Sequence, residues 1–199
     1  MNNYLQEDLK KAKPAEWIVR CVLASASLDL ADWKTDWNIY YFDDKSDEKK
    51  YWHIGDIECT DSLLDETFYI DVKDDGMISK TGNIFAEDNK IFKSNGKKEK
   101  GFMRNSEYDY VAVISQPDNK IYMLDFKEWK KYYRQGKYVT SYLSDATCYG
   151  FVMPIWKAKR LGIIKYEIDY IKIFDWWLDD KGKKTLPIYE SVKVERVAS

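Results

Sequence analysis

"GDIECTDSLLDETFYIDVKDDG", residues 55–76, is the stretch whose reading decides the fold. Residues 67–73, "TFYIDVK", alternate strictly, with Phe68, Ile70 and Val72 on one side and Tyr69, Asp71 and Lys73 on the other, which is the period of a half-buried β-strand. If "SLLD" (62–65) is a four-residue hairpin loop, Thr60 lies opposite Thr67 and Asp56 opposite Asp71, with Cβ atoms ~4.5–5.5 Å apart. A register slip of two residues changes the exact neighbour but not the side. Asp56 and Glu58 stay with Asp71 and Lys73, while Ile57 and Cys59 join the apolar set. Carboxylates facing each other across a hairpin repel. A divalent cation offsets that repulsion, and a site built from carboxylates and water suits Mg²⁺ or Mn²⁺.

Working outward, 199 residues with 45% hydrophobic and 33% charged content describe one globular unit, so the expectation is a single domain over residues 1–199. No apolar run approaches the ~18–20 residues of a membrane span, so no membrane partner is expected. The polar start "MNNYLQEDLKKAKPAEW" has no apolar signal core, which makes the cytoplasm the expected location. Three separated cysteines, Cys21, Cys59 and Cys148, read as reduced core thiols. With one histidine, His53, a histidine-rich metal centre and most Ser-His-acid triads are disfavoured, and neither a Walker nor a Rossmann glycine pattern occurs. The formal charge of −2 means that a nucleic-acid partner must be held by a local basic surface or by bound cations.

Along the chain, Pro14 and the spacing of Trp17, Ile18, Cys21, Val22 and Ser25 or Ala26 predict a helix over 14–28. "WNIYYFDD" (37–44) predicts a strand forming a first hairpin with "YWHIGDIECT". The segments 108–115 and 120–126 predict another hairpin about the turn "QPDN". In "KEWKKYYRQGK" (127–137), Lys127, Lys130, Lys131 and Arg134 share one helical face, with Phe126, Trp129 and Tyr133 toward the other. Residues 151–174 read as strand, helical turn and long strand, "TLPIYESVKV" as an edge strand, and "KSNGKKEKGFMR" (93–104) as a basic loop. The sum is an α/β fold, a mixed central β-sheet flanked by helices.

An acid followed two residues later by lysine recurs at Asp8, Asp47, Asp118 and Asp125, so Asp71-Val72-Lys73 is distinguished by its context alone. "GDIE", then "IDVK" fifteen residues after the aspartate, behind an N-terminal helix carrying Glu16, resembles the PD-(D/E)XK nuclease superfamily. The resemblance implies a restriction-endonuclease-like fold and metal-dependent hydrolysis of DNA, RNA not being excluded, often by a homodimer that reaches both strands. It makes Asp56 and Asp71 metal ligands, with the Val72 carbonyl as an additional one. Lys73 becomes the residue that orients or helps deprotonate the attacking water, and Glu16 the helix acid. "SKTGNIFAE" resembles a segment that follows the motif in some families, which adds Glu87 as a further metal candidate. Two departures stand out: Gly55 occupies the place of the proline, and Asp71 that of the commoner glutamate.

Basic surfaces for a phosphate backbone are then Lys97, Lys98 and Lys100 in the 93–104 segment, and Lys127, Lys130, Lys131 and Arg134 on the helix. Each observation has a plainer reading. The Asp56/Asp71/Lys73 face is equally that of a solvated sheet with a cross-strand ion pair, Glu16 that of an acid favouring a helix start, and Trp176 and Trp177 that of core and rim. A non-catalytic relative that keeps the fold and binds nucleic acid or a protein stands as the alternative function.

Overall fold

The computed structural model describes residues 15, 16, 18, 19, 22, 23, 37–41, 55–61, 66–172 and 189–197. Trp17, Cys21, His53, Trp176 and Trp177 lie outside them. The described helical residues 15, 16, 18, 19, 22 and 23 belong to α1. Then follow β1 (Trp37–Tyr41), β2 (Ile57–Asp61), β3 (Glu66–Asp74), α2 (Ile78–Thr81), β4 (Asn83–Phe92), β5 (Lys98–Lys100) and α3 (Phe102–Asn105). The chain continues through β6 (Tyr110–Ser115), β7 (Lys120–Asp125), α4 (Phe126–Tyr132), β8 (Lys137–Tyr142), β9 (Ala146–Pro154), α5 (Ile155–Arg160), β10 (Ile164–Lys172) and β11 (Tyr189–Arg196).

The strands form two sheets among the described residues, where the sequence led us to expect one. A seven-stranded mixed sheet runs in the order β1-β2-β3-β6-β7-β10-β11, and a four-stranded antiparallel sheet in the order β5-β4-β9-β8. Within the first sheet β3 and β6 are parallel. The other neighbours are antiparallel, including the three predicted hairpins. The molecule is thus α/β, with few and short helices. No helix among the described residues is long and apolar enough to cross a membrane.

Alternation within the strands separates two cores. On one face of the large sheet, Ile57, Cys59, Ile70, Val72, Ala112, Ile114 and Met123 pack with Ala15, Ile18, Val19, Val22 and Leu23 of α1. On the other face, Val111, Val113, Tyr122 and Leu124 meet Ile84, Ala86 and Met153 of the small sheet, together with Met103, Phe126 and Trp129. β6 is therefore buried on both sides, which fits its unbroken apolar run "YVAVIS". The segment 93–104 is not a loop: it supplies β5 and α3. The predicted helix at 127–137 is α4, followed by a 3₁₀ turn at Tyr133–Gln135. Its N-cap Asp125 accepts the Glu128 N–H at 2.9 Å, the bond that an N-cap side chain supplies.

Candidate active site on the β2–β3 hairpin

Pairing of Thr60 with Thr67 and of Ile57 with Ile70 sets the hairpin in the register that the loop length predicts, which brings Asp56 beside Asp71. Gly55 adopts φ +134°, and a Cβ there would lie 2.8 Å from the Ile70 carbonyl oxygen. A proline, fixed near about −65°, cannot take that conformation, so glycine at 55 answers to the local backbone. The Asp56 N–H then donates to the Ile70 carbonyl at 2.9 Å, and Asp56 Oδ2 accepts the Val72 N–H at 2.7 Å. Asp56 thereby closes the end of the hairpin and is held against β3.

Burial pushes the Asp56 carboxyl up to about 8; the negative charges of Asp71 and, from α1, Glu16 add to it, while Lys73 and the Val72 N–H pull the other way. Asp71 is 4% exposed, and its Oδ2 is 2.7 Å from Lys73 Nζ. That contact is an ion pair; Oδ2 is otherwise fully enclosed and without a hydrogen bond. The Lys73 side chain is 38% exposed, so the site opens on the lysine side. Burial alone would lower the Lys73 pKa, but Asp71, Tyr108 and Asp56 together raise it, and the ammonium stays charged.

The wall of the site comes from residues that the motif does not contain. Lys73 Nζ lies 5.1 Å from the centre of the Phe102 ring. Tyr108 is buried beside the ion pair, and its hydroxyl is held above its ordinary pKa by burial and then by the Asp71 charge, so it is a neutral phenol. Its ring packs 5.0 Å from Phe126. Lys130 Nζ lies 4.7 Å from that same Phe126 ring and donates to the Ser106 carbonyl at 2.6 Å. One lysine of the basic helix face is thus tied to the wall of the site.

The other candidates are placed differently. Glu87 lies on β4 of the small sheet, where its carboxyl meets the Cys148 thiol. Burial and that contact push Cys148 up to about 12, and burial raises Cys59 likewise to about 12, so both thiols are inert at neutral pH. Lys97 pairs with Glu99 at 2.6 Å, and Lys98 and Lys100 are exposed on β5, the edge of the small sheet. Lys127 is exposed, Lys131 pairs with Glu128 at 2.6 Å, and Arg134 Nε donates to Tyr133 Oη at 3.0 Å.

Three acids, Asp56, Asp71 and Glu16, share a field in which Lys73 is the partnered cation, and all their donors are oxygen. A hard divalent cation fits that chemistry. Among the described residues no three carboxylate, thiol or imidazole groups converge closely enough to cage an ion by themselves. Asp56 and Asp71 bring two carboxyl groups together at the open end of the hairpin. No family model, no curated protein and no solved structure matches the chain, and what the site does is read from its own geometry.

Proposed function

We propose that the chain is a metal-dependent phosphodiesterase acting on DNA, an endonuclease of the PD-(D/E)XK type on a restriction-endonuclease-like scaffold. One observation carries this reading: Asp56 and Asp71 meet at the end of one hairpin with Lys73 Nζ 2.7 Å from Asp71. In the proposal Asp56, Asp71 and the Val72 carbonyl hold Mg²⁺ or Mn²⁺, which when bound supplies charge relief to the phosphate oxygens. Lys73 sets a positive point charge where the attacking water lies, on the open side of the site. Glu16 adds to the negative field that draws the cation in. Tyr108 and Phe102 exclude water from the closed side and fix the lysine. Reaching both strands of a duplex calls for a homodimer.

The enclosure of Asp71 by Lys73 favours a second reading, in which the nuclease scaffold binds nucleic acid or a protein without cleaving. Calorimetric titration of metal-free protein with Mn²⁺, beside plasmid and RNA cleavage assays with Mg²⁺ or Mn²⁺, separates the two. The nuclease reading expects Mn²⁺ heat that Asp71→Asn removes. It also expects cleavage that Lys73→Ala lowers by about 10²–10³, the loss of one preorganised charge. Nucleic-acid binding with neither metal heat nor cleavage assigns the second reading. Cleavage of RNA alone redirects the substrate.

A further inference from the structure

The small sheet carries a second cluster, centred on Asp88. The β4–β9 register shifts between Glu87 and Asn89, so Asp88 sits in a β-bulge, a device that re-aims a side chain. Gly101 closes on the bulge: its N–H donates to the Asp88 carbonyl at 2.8 Å, and a Cβ there would be 2.3 Å from the Glu87 carbonyl oxygen. Buried Asp88 accepts from Asn89 Nδ2 at 2.6 Å and from Tyr133 Oη at 2.9 Å. Two arginines flank the carboxylate, Arg104 with Nη1 3.9 Å from Oδ2 and Arg134 with Nη2 3.8 Å from Oδ1. Both separations exceed hydrogen-bond length. Each guanidinium is held instead by a neutral oxygen, Arg104 by Asn89 Oδ1 at 2.9 Å and Arg134 by Tyr133 Oη at 3.0 Å.

We propose that Arg104 and Arg134 form a phosphate clamp that grips the backbone of a nucleic-acid strand as it leaves the Asp56/Asp71 site, with Asp88 as the residue that positions both. The inference rests on the nuclease reading and names the element that binds substrate. A guanidinium carries five N–H donors, and here each is oriented by one neutral bond, which leaves the fork geometry that matches phosphate oxygens. The pair outweighs Asp88 by one positive charge on a chain whose net charge is −2. One element links the two sites: Phe102, whose ring lies 5.1 Å from Lys73 Nζ, and Arg104 both belong to α3. Next to the clamp Tyr133 packs edge-on against Phe151, and Phe151 against Tyr138, a residue 53% exposed. An exposed tyrosine at the end of that ring chain offers the kind of stacking surface that single strands use.

The test is fluorescence anisotropy of a labelled single-stranded oligonucleotide in EDTA across a KCl series. Arg104→Ala/Arg134→Ala is expected to lower the slope of log K against log salt by about 1.4, two phosphate contacts at ~0.7 each. Arg104→Lys/Arg134→Lys keeps the slope but binds several-fold more weakly. Asp88→Asn weakens binding without lowering the slope, and Tyr138→Ala costs roughly tenfold in affinity at an unchanged slope. Both arginines are exposed, and circular dichroism checks that each variant folds, the double lysine variant keeping both charges beside Asp88. Wild-type protein that binds no oligonucleotide overturns the clamp, while the metal-heat and cleavage assays decide the nuclease reading separately. Wild-type binding with an unaltered slope in the double alanine variant overturns the clamp alone. Equal competition by polyglutamate overturns its phosphate selectivity.

Discussion

At position 56 stability and proposed chemistry pull against each other. The Asp56 carboxyl stands at about 8 in the fold against an ordinary 3.8. Between those values the folded chain keeps a proton that the unfolded chain has released. The stability tied to this group is therefore complete below pH ~4 and is lost as pH rises through about 8. We predict that the melting temperature of metal-free protein falls between pH 5 and 8.5, and that Asp56→Asn flattens that fall while still accepting the Val72 N–H. At pH 8 the variant should be more stable than the parent by on the order of a few kcal/mol. Equal pH profiles for the two proteins would contradict the burial of the Asp56 carboxyl beside Asp71. The Asp56, Asp71 and Lys73 pairing is legible in the sequence because strand parity and the length of one loop determine it. Tyr108, Phe102 and Ser106 are not, since their proximity depends on a chain excursion that shows no periodic signal.

Individual elements were legible where their apolar pattern ran unbroken. β3 shows its burial by alternation and β6 by a continuous apolar run; β4 does not, because the Asp88 bulge breaks its period, and β5 and β8 hold no fully buried residue. Besides the core that Ile84, Ala86 and Met153 share with the large sheet, the small sheet depends on close backbone approach. A Cβ on Gly150 would lie 2.1 Å from the Ala86 carbonyl oxygen across the β4–β9 pair. Gly150→Ala must therefore push these strands apart, and we expect a loss of about 1–3 kcal/mol in urea denaturation, the usual range for overpacking. A change within a few tenths of a kcal/mol would show that the pair tolerates the separation. The α1 stripe was partly legible: Ile18 and Val22 are buried as the spacing implied, and Val19 and Leu23, which the reading left out, are buried with them.

In the whole molecule the two cores are separated by the thickness of one sheet. Leu124 is fully buried in the core beneath the small sheet, on β7, whose alternate residues Ile121 and Met123 face α1. Leu124→Ala should cost about 2–5 kcal/mol, read as a shift in the urea midpoint. A smaller shift would mean that the layer collapses onto the cavity. The α/β class was legible from the succession of elements, but the division into two sheets was not, because strand order depends on pairings distant in sequence. The parallel neighbours β3 and β6 require a crossover, and the chain uses residues 75–109 for it, while residues 126–163 make a second detour between β7 and β10. Antiparallel pairing of β4 with β9 zips the two detours into the small sheet. Neither detour is free to drift between its anchor points, because Ile84, Ala86 and Met103 from the first and Phe126, Trp129 and Met153 from the second roof one face of the large sheet. Changes of length are therefore expected to be absorbed at the exposed turns and not along the segments that carry those side chains.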